Sequence, residues 1–86
     1  MERLMVITYD LRPQATPKDY AHLASGLSSL GATRLFLSSW AIRSTLTPDA
    51  LAQAIWPYLD GSADRLLVVE VGAHAELNTT PPLESL

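Results

Sequence analysis

Short apolar runs alternate along the chain with two longer stretches whose apolar residues recur at helical spacing. The runs at positions 4–9, 33–37, 40–44 and 65–71 are of strand length and rich in β-branched or aromatic residues. In the longer stretches the spacing places the apolar side chains on one face of a helix. These positions are Tyr20, Leu23, Leu27 and Leu30 in the first stretch, and Leu51, Ile55 and Leu59 in the second. The pattern predicts four strands and two helices.

Residues that flank the two helical stretches predict where each helix begins and ends. Thr16-Pro17 and Thr47-Pro48 each combine a side chain that caps free backbone N–H groups with a proline suited to the first helical position. Gly31 supplies the left-handed conformation that often follows a helix, and Gly26 weakens the interior of the first helix slightly. Pro57 is expected to kink or end the second helix.

The resulting order, β-α-β-β-α-β, predicts a ferredoxin-like α+β fold. We expect a four-stranded antiparallel sheet of order 4-1-3-2 with both helices on one face. Residues 1–74 are expected to form this domain. Residues 75–86 are expected to form a tail that is flexible or pairs with a partner protomer.

Alternation along each strand assigns its residues to the two faces of the sheet. The expected helix-facing residues are Met5, Ile7, Tyr9, Leu35, Leu37, Trp40, Ile42, Leu67, Val69 and Val71. The expected open face, which the helices leave uncovered, carries Leu4, Val6, Thr8, Asp10, Arg34, Phe36, Ala41, Arg43, Leu66, Val68 and Glu70. This face is too apolar to be left exposed to solvent. The last strand also lies at an edge of the sheet, where its unpaired backbone groups can bond to another strand. We therefore expect a homodimer whose interface includes Val6, Phe36, Leu66 and Val68.

Composition narrows the function classes. The 86 residues contain no cysteine, so disulfides and thiolate metal sites are excluded. The net charge of −3 argues against tight autonomous binding to nucleic acid. No apolar run is long enough to cross a membrane and the amino-terminal residues lack a signal peptide pattern, so a cytoplasmic protein without a membrane partner is expected. Nothing in the sequence implies an organic cofactor.

Asp10 is the first candidate for chemistry because it follows an apolar strand predicted to be central in the sheet. A carboxylate at that end can hold a hard cation such as Mg²⁺, and two of them across a dimer axis can bind a metal that activates water. The alternative is a turn aspartate that accepts hydrogen bonds from its own backbone. Arg34 and Arg43 can form a basic patch on the open face, or can be solvated arginines that pair with Glu70.

The first strand ends Tyr9-Asp10-Leu11, and a helix then leads to Gly31-Ala-Thr-Arg34-Leu35-Phe-Leu-Ser38-Ser39-Trp40. These two segments resemble the CRISPR-associated protein 2 family. The family shows a first strand ending in Tyr-Asp and a Gly-x-x-Arg-aliphatic-x-x-Ser-x-aromatic segment. The virulence-associated protein D ribonucleases share this scaffold. The resemblance covers roughly residues 4 to 72.

The resemblance implies a ferredoxin-like homodimer that cleaves RNA or double-stranded DNA. Asp10 of each protomer would be the catalytic residue and the ligand of Mg²⁺ or Mn²⁺, with Tyr9 and Ser38 in support. Arg34 would be the matching hairpin position near the phosphate, and Arg43, from the predicted basic patch, is expected as a second phosphate contact. Two departures weaken the expected contact with nucleic acid: Phe36 stands where the family often has glutamine, and only Lys18 occupies a helix that is often basic.

Three functions remain open at the level of the sequence. The first is a metal-dependent endonuclease, whose activity is expected to be weak or lost in this relative, and the second is a non-catalytic dimeric module that bridges or regulates a larger protein partner. The third is a dimer that binds a small ligand, for which the chain shows no pocket signature. Salt-sensitive binding to nucleic acid distinguishes the first from the second.

Overall fold

The computed structural model describes residues 1–75, residue 77 and residues 81–86, with only the backbone of residue 84. The strands and helices, in chain order, are β1 (Arg3–Asp10), α1 (Pro17–Ser29), β2 (Thr33–Phe36), β3 (Ser39–Ser44), α2 (Pro48–Ile55) and β4 (Arg65–Glu70). Short 3₁₀ turns follow at Trp56–Tyr58 and Leu83–Ser85. No helix in this described part of the chain is long and apolar enough to cross a membrane.

The four strands form one antiparallel sheet of order β2-β3-β1-β4, which is the predicted order read from the other edge. The predicted ferredoxin-like α+β architecture is confirmed. β1 lies in the interior of the sheet and pairs with β3 on one side and β4 on the other. The end of β1 is therefore held from both sides.

A single apolar core fills the space between the helices and one face of the sheet. Its fully buried members come from β1, α1 and α2 and are Met5, Ile7, Leu23, Leu27, Leu51 and Ile55. Trp40 and Ile42 add the β3 contribution. Burying side chains of this size contributes about 1.5–3 kcal/mol each, so this face carries most of the hydrophobic stabilisation.

The predicted helix starts are confirmed by their hydrogen bonds, whereas Leu59, predicted on the apolar face of the second helix, lies beyond its end. Thr16 accepts a hydrogen bond from the Asp19 amide, and the Asp19 carboxylate accepts one from the Thr16 amide at 2.8 Å, which completes a capping box. Gly31 has φ +92°, the left-handed conformation that glycine adopts without strain. α2 ends at Ile55, and Pro57 lies in the 3₁₀ turn that follows.

Gly26 has a packing role that its place in the helix pattern did not reveal. It is buried in α1, and a methyl group added there would lie 2.7 Å from ring atoms of Tyr58. The absence of a side chain thus lets the tyrosine ring lie directly on the helix. The same ring also packs against His22, with the two ring centroids 5.1 Å apart and the ring planes tilted by 54°.

We expect Gly26→Ala to destabilise the protein by roughly 1 kcal/mol in urea unfolding. Alanine is favoured over glycine inside a helix by about 1 kcal/mol, but forcing a methyl group into a packed site costs about 1–3 kcal/mol. In a Tyr58→Ala background the same substitution is expected to stabilise, since the ring is gone. Stabilisation by Gly26→Ala in the wild-type background would contradict the close packing.

The predicted faces of β4 are wrong. Leu66 and Val68 pack against the core, whereas Leu67 and Val69 are exposed on the open face. Because Leu67 pairs with Thr8, their side chains leave the sheet on the same side. Both faces of this strand are apolar, so alternation did not fix its phase. The predicted interface positions Leu66 and Val68 are therefore core residues, and Glu70 also turns to the helix-bearing face, where it pairs with Arg3 at 3.1 Å.

The hairpin between β2 and β3 also differs from the prediction. The pairing shifts register between Arg34 and Phe36, and the turn falls at positions 37–38 instead of 38–39. Leu37, expected to face the helices, is 81% exposed in that turn. Phe36 lies on the open face as predicted and is 53% exposed.

The carboxyl-terminal residues lie against the open face at β3. Ala41 is only 1% exposed although it is on that face, and the Arg43 guanidinium donates a hydrogen bond to the Leu86 carbonyl. Leu86 lines a small cavity with Thr33 and Ala41. Residue 76 and residues 78–80 of the predicted tail lie outside the described residues, and pairing of the tail with a partner stays a prediction.

Candidate functional site

Asp10 occupies the last position of β1, and its cross-strand partner is Arg65, the first residue of β4. Both side chains are exposed and leave the sheet on the open face. No ion pair involving either of them is found among the described residues. A carboxylate and a guanidinium therefore stand side by side, and both are accessible to a ligand.

The two side chains share a shallow depression of about 210 Å³. Its walls come only from the adjoining ends of β1 and β4, namely Thr8, Tyr9, Asp10, Arg65, Leu66 and Leu67. Leu67 is 57% exposed at its side. The depression is too open to enclose a small ligand, but it leaves Asp10 and Arg65 accessible to an extended one.

Tyr9 and Ser38 hold the end of β1 in place. The Tyr9 ring is buried in the core, and its hydroxyl accepts a hydrogen bond from the Trp40 indole at 3.2 Å. The Tyr9 amide donates to the Ser38 carbonyl at 3.2 Å. In the described structure both residues support the strand that carries Asp10, and Ser38 does so through its backbone.

The predicted basic patch of Arg34 and Arg43 does not form. Arg34 pairs with Trp40 and places its guanidinium 5.2 Å from the centroid of that ring, on the helix-bearing face. Arg43 is on the open face and pairs with Leu4. Leu4 lies six positions before Asp10 on β1, a separation along the strand of about 20 Å. The register shift in the hairpin and the contact with Leu86 place the two arginines on different surfaces.

A second polar cluster lies directly behind the candidate site. Asp64 has a side chain only 2% exposed, and its carboxylate accepts hydrogen bonds from the backbone amides of Arg12 and Asp60, both at 2.8 Å. The Arg12 guanidinium donates to both Asp64 oxygens, at 3.2 and 3.0 Å. It also pairs with Asp19 at 2.9 Å and approaches Asp60 at 3.9 Å. We call Arg12, Asp19, Asp60 and Asp64 the arginine clamp.

The arginine clamp joins the loop after β1 to the loop before β4. Burial raises the pKa of Asp64, but the hydrogen bonds from the Arg12 and Asp60 amides and the guanidinium outweigh it, so the pKa is lowered overall. The pKa of Asp19 is lowered mainly by the Thr16 amide. Asp64 is thus charged and fully engaged within the fold, and Asp19 and Asp60 add partly exposed contacts to the same guanidinium, which makes the arginine clamp structural.

The described residues contain no group of three or more histidine, cysteine, aspartate or glutamate side chains that could hold a metal ion. One chain therefore offers a single accessible carboxylate at the candidate site, that of Asp10. Mg²⁺ is commonly held by only one or two carboxylates together with waters and substrate phosphates. The donor set fits such an ion if Asp10 is supplied by two protomers.

Arg65 is the residue that the sequence analysis missed, although a signal for it existed. In an antiparallel pair the end of one strand faces the beginning of the other. The predicted 4-1 neighbourhood therefore already placed position 65 beside position 10. The arginine clamp left no comparable signal, because Arg12 and Asp64 are 52 positions apart and lie in loops.

No protein-family model and no curated protein matches this chain. Among solved structures, the crystal structure of a hypothetical protein from Thermus thermophilus is similar, with a TM-score of 0.67 and 25% sequence identity over 90% of each chain. The chain thus shares its overall fold with that protein.

Proposed function

We propose that this chain forms a homodimer that hydrolyses phosphodiester bonds of RNA or double-stranded DNA with the help of Mg²⁺ or Mn²⁺. The observation that carries the proposal is the position of Asp10. Its exposed carboxylate stands at the end of an interior strand beside Arg65, while the aspartates of the neighbouring loops are engaged by Arg12. The family resemblance assigns the metal to the same carboxylate.

The open face supports the dimer. Phe36, Leu67 and Val69 are exposed there, and Leu67 borders the depression that contains Asp10. Most stable homodimers are two-fold symmetric and bury apolar residues at the centre of the interface. A symmetric contact around Leu67 would bring the two Asp10 carboxylates towards a common axis, and with them the ligands that one chain lacks.

Each group at this site has a part in the proposed reaction. The Asp10 carboxylates would hold and position the divalent ion, which when bound would supply Lewis-acid activation of a water for attack on phosphorus as the bond to the leaving oxygen breaks. The shallow shape of the site admits a continuous nucleic acid strand and requires no free end.

The second candidate is a non-catalytic bridging module, and the charge distribution favours it. The net charge is −3, and Arg34 and Arg43 both have partners away from Asp10. Little positive surface is left to bind nucleic acid through many phosphates. Such a module would keep the dimer, bind a larger protein, and leave Asp10 without a reaction to perform.

Metal dependence tests the proposed function. We expect purified protein to cleave labelled single-stranded RNA or duplex DNA in Mn²⁺ or Mg²⁺, and to lose this activity fully in EDTA and regain it on re-addition of metal. The activity should elute with the dimer peak, with the mass measured by light scattering. A monomer would overturn the proposed site. A dimer that is inactive with both metals would favour the bridging module.

A further inference from the structure

Six lysine and arginine residues provide all of the fixed positive charge of this chain, and the structure places four of them in contacts of their own. Arg3 pairs with Glu70, Arg12 belongs to the arginine clamp, Arg34 lies over Trp40, and Arg43 donates to the Leu86 carbonyl. Lys18 and Arg65 remain. Of these two, only Arg65 lines the depression that contains Asp10.

We propose that Arg65 is the phosphate-binding residue of the Asp10 site, a role that the sequence predicted for Arg34 and Arg43. The inference rests on the proposed function, because it names the group that holds the substrate next to the metal ligand. The guanidinium presents several donors in a plane that matches two oxygens of a phosphate. Its exposed position and the absence of an ion pair within the described residues leave these donors available.

The register of the sheet places Asp10 and Arg65 beside each other. Asp10 and Arg65 are direct neighbours across β1 and β4, and the ladder continues through Tyr9–Leu66 and Thr8–Leu67. The arginine clamp holds the two loops that enter this ladder, since Arg12 follows Asp10 by two positions and Asp64 immediately precedes Arg65. A phosphodiester bound by Arg65 is therefore held within reach of an ion on Asp10.

The surroundings of Arg65 define the class of substrate. No aromatic side chain is exposed in the depression, because the Tyr9 ring is buried, so no stacking platform for a base is present in the described site. Leu67 offers only an apolar surface. The site would therefore bind its substrate through the sugar–phosphate backbone, which carries no sequence information. We infer a substrate that is bound through its phosphates without selection of sequence.

The test measures binding and cleavage separately in three variants, Arg65→Ala, Arg65→Lys and Lys18→Ala. Binding of two fluorescein-labelled nucleic acids of unrelated sequence is followed by anisotropy in Ca²⁺, over a series of salt concentrations. We expect Arg65→Ala to raise Kd about tenfold or more on both sequences and to lower the salt slope by about one for each engaged protomer. Arg65→Lys should keep the slope and recover part of the affinity.

Lys18→Ala is the matched control, since it removes the same charge from an exposed position on α1 outside the depression. Wild-type binding by Arg65→Ala, in a protein whose cleavage requires Asp10, would overturn the role of Arg65 and leave the proposed function standing. Binding that depends on Arg65 without any cleavage would support Arg65 and overturn the nuclease. Absence of salt-dependent binding by the wild type would overturn both.

Discussion

Replacing Asp10 with asparagine is expected to lower metal-dependent cleavage by more than about 100-fold. Loss of a residue that only supports a metal ligand commonly reduces metal affinity or activity 10–100-fold, and Asp10 is itself the proposed ligand. In a symmetric dimer one substitution removes both carboxylates at once. Asparagine keeps the size of the side chain, and because Asp10 is exposed the fold should be unaffected.

The control for this substitution is Asp49→Asn, which removes an exposed carboxylate from the first turn of α2. Both variants should have dimer mass and unfolding midpoints close to those of the wild type, and only Asp10→Asn should lose cleavage and Mn²⁺ binding measured by calorimetry. Equal cleavage by Asp10→Asn and the wild type would remove Asp10 from the chemistry. Equal loss in both variants would point to a general effect of charge.

The largest effect on stability is expected for Asp64→Ala, which should lower the free energy of unfolding by about 3 kcal/mol in urea. The substitution leaves the Arg12 and Asp60 amides without their acceptor and removes the bidentate partner of the guanidinium. Small domains are stable by only about 5–15 kcal/mol, so the loss is substantial. A change below about 0.5 kcal/mol would show that water replaces these contacts, and Asp49→Asn again provides the exposed control.

The sign of the pH dependence follows from the lowered pKa of Asp64. Its stabilising contribution is present above the pKa of the unfolded chain, about 3.9, and is lost as the pH falls through the lower pKa of the folded state. Wild-type stability should therefore decline below about pH 5. Asp64→Asn should decline less steeply, while Asp19 and Asp60, whose pKa values are also lowered, maintain the remaining slope.

The arginine clamp is structural, and it also positions the neighbouring candidate site. Its bonds join the residues just after Asp10 to the residue just before Arg65. The two loops are joined at the point where β1 ends and β4 begins, so the geometry of the candidate site depends on them. Asp64 variants that still fold are useful for separating loss of stability from loss of the site.

The sequence alone determined the elements and their order. Helix ends depend on backbone conformation and capping, which involve only neighbouring residues. Here they are marked by Thr16, Thr47, Gly31 and Pro57. The helix-facing residues of β1 were also predictable, because Met5, Ile7 and Tyr9 lie on one face of the strand and that face packs against the rest of the core. From these, the order β-α-β-β-α-β permits few sheet topologies.

Tertiary structure alone decided the properties that depend on distant residues. In β4, where both faces are apolar, only pairing with β1 fixes which side Leu66 and Leu67 occupy. Gly26 reads locally as a weak point of a helix, yet the ring of Tyr58 requires it. Likewise, an arginine becomes available for a ligand only when nothing in the fold engages it, and Arg34 is engaged while Arg65 is not. Charge and hydrophobicity are properties of single residues, whereas the freedom of a side chain to act depends on what the fold places beside it.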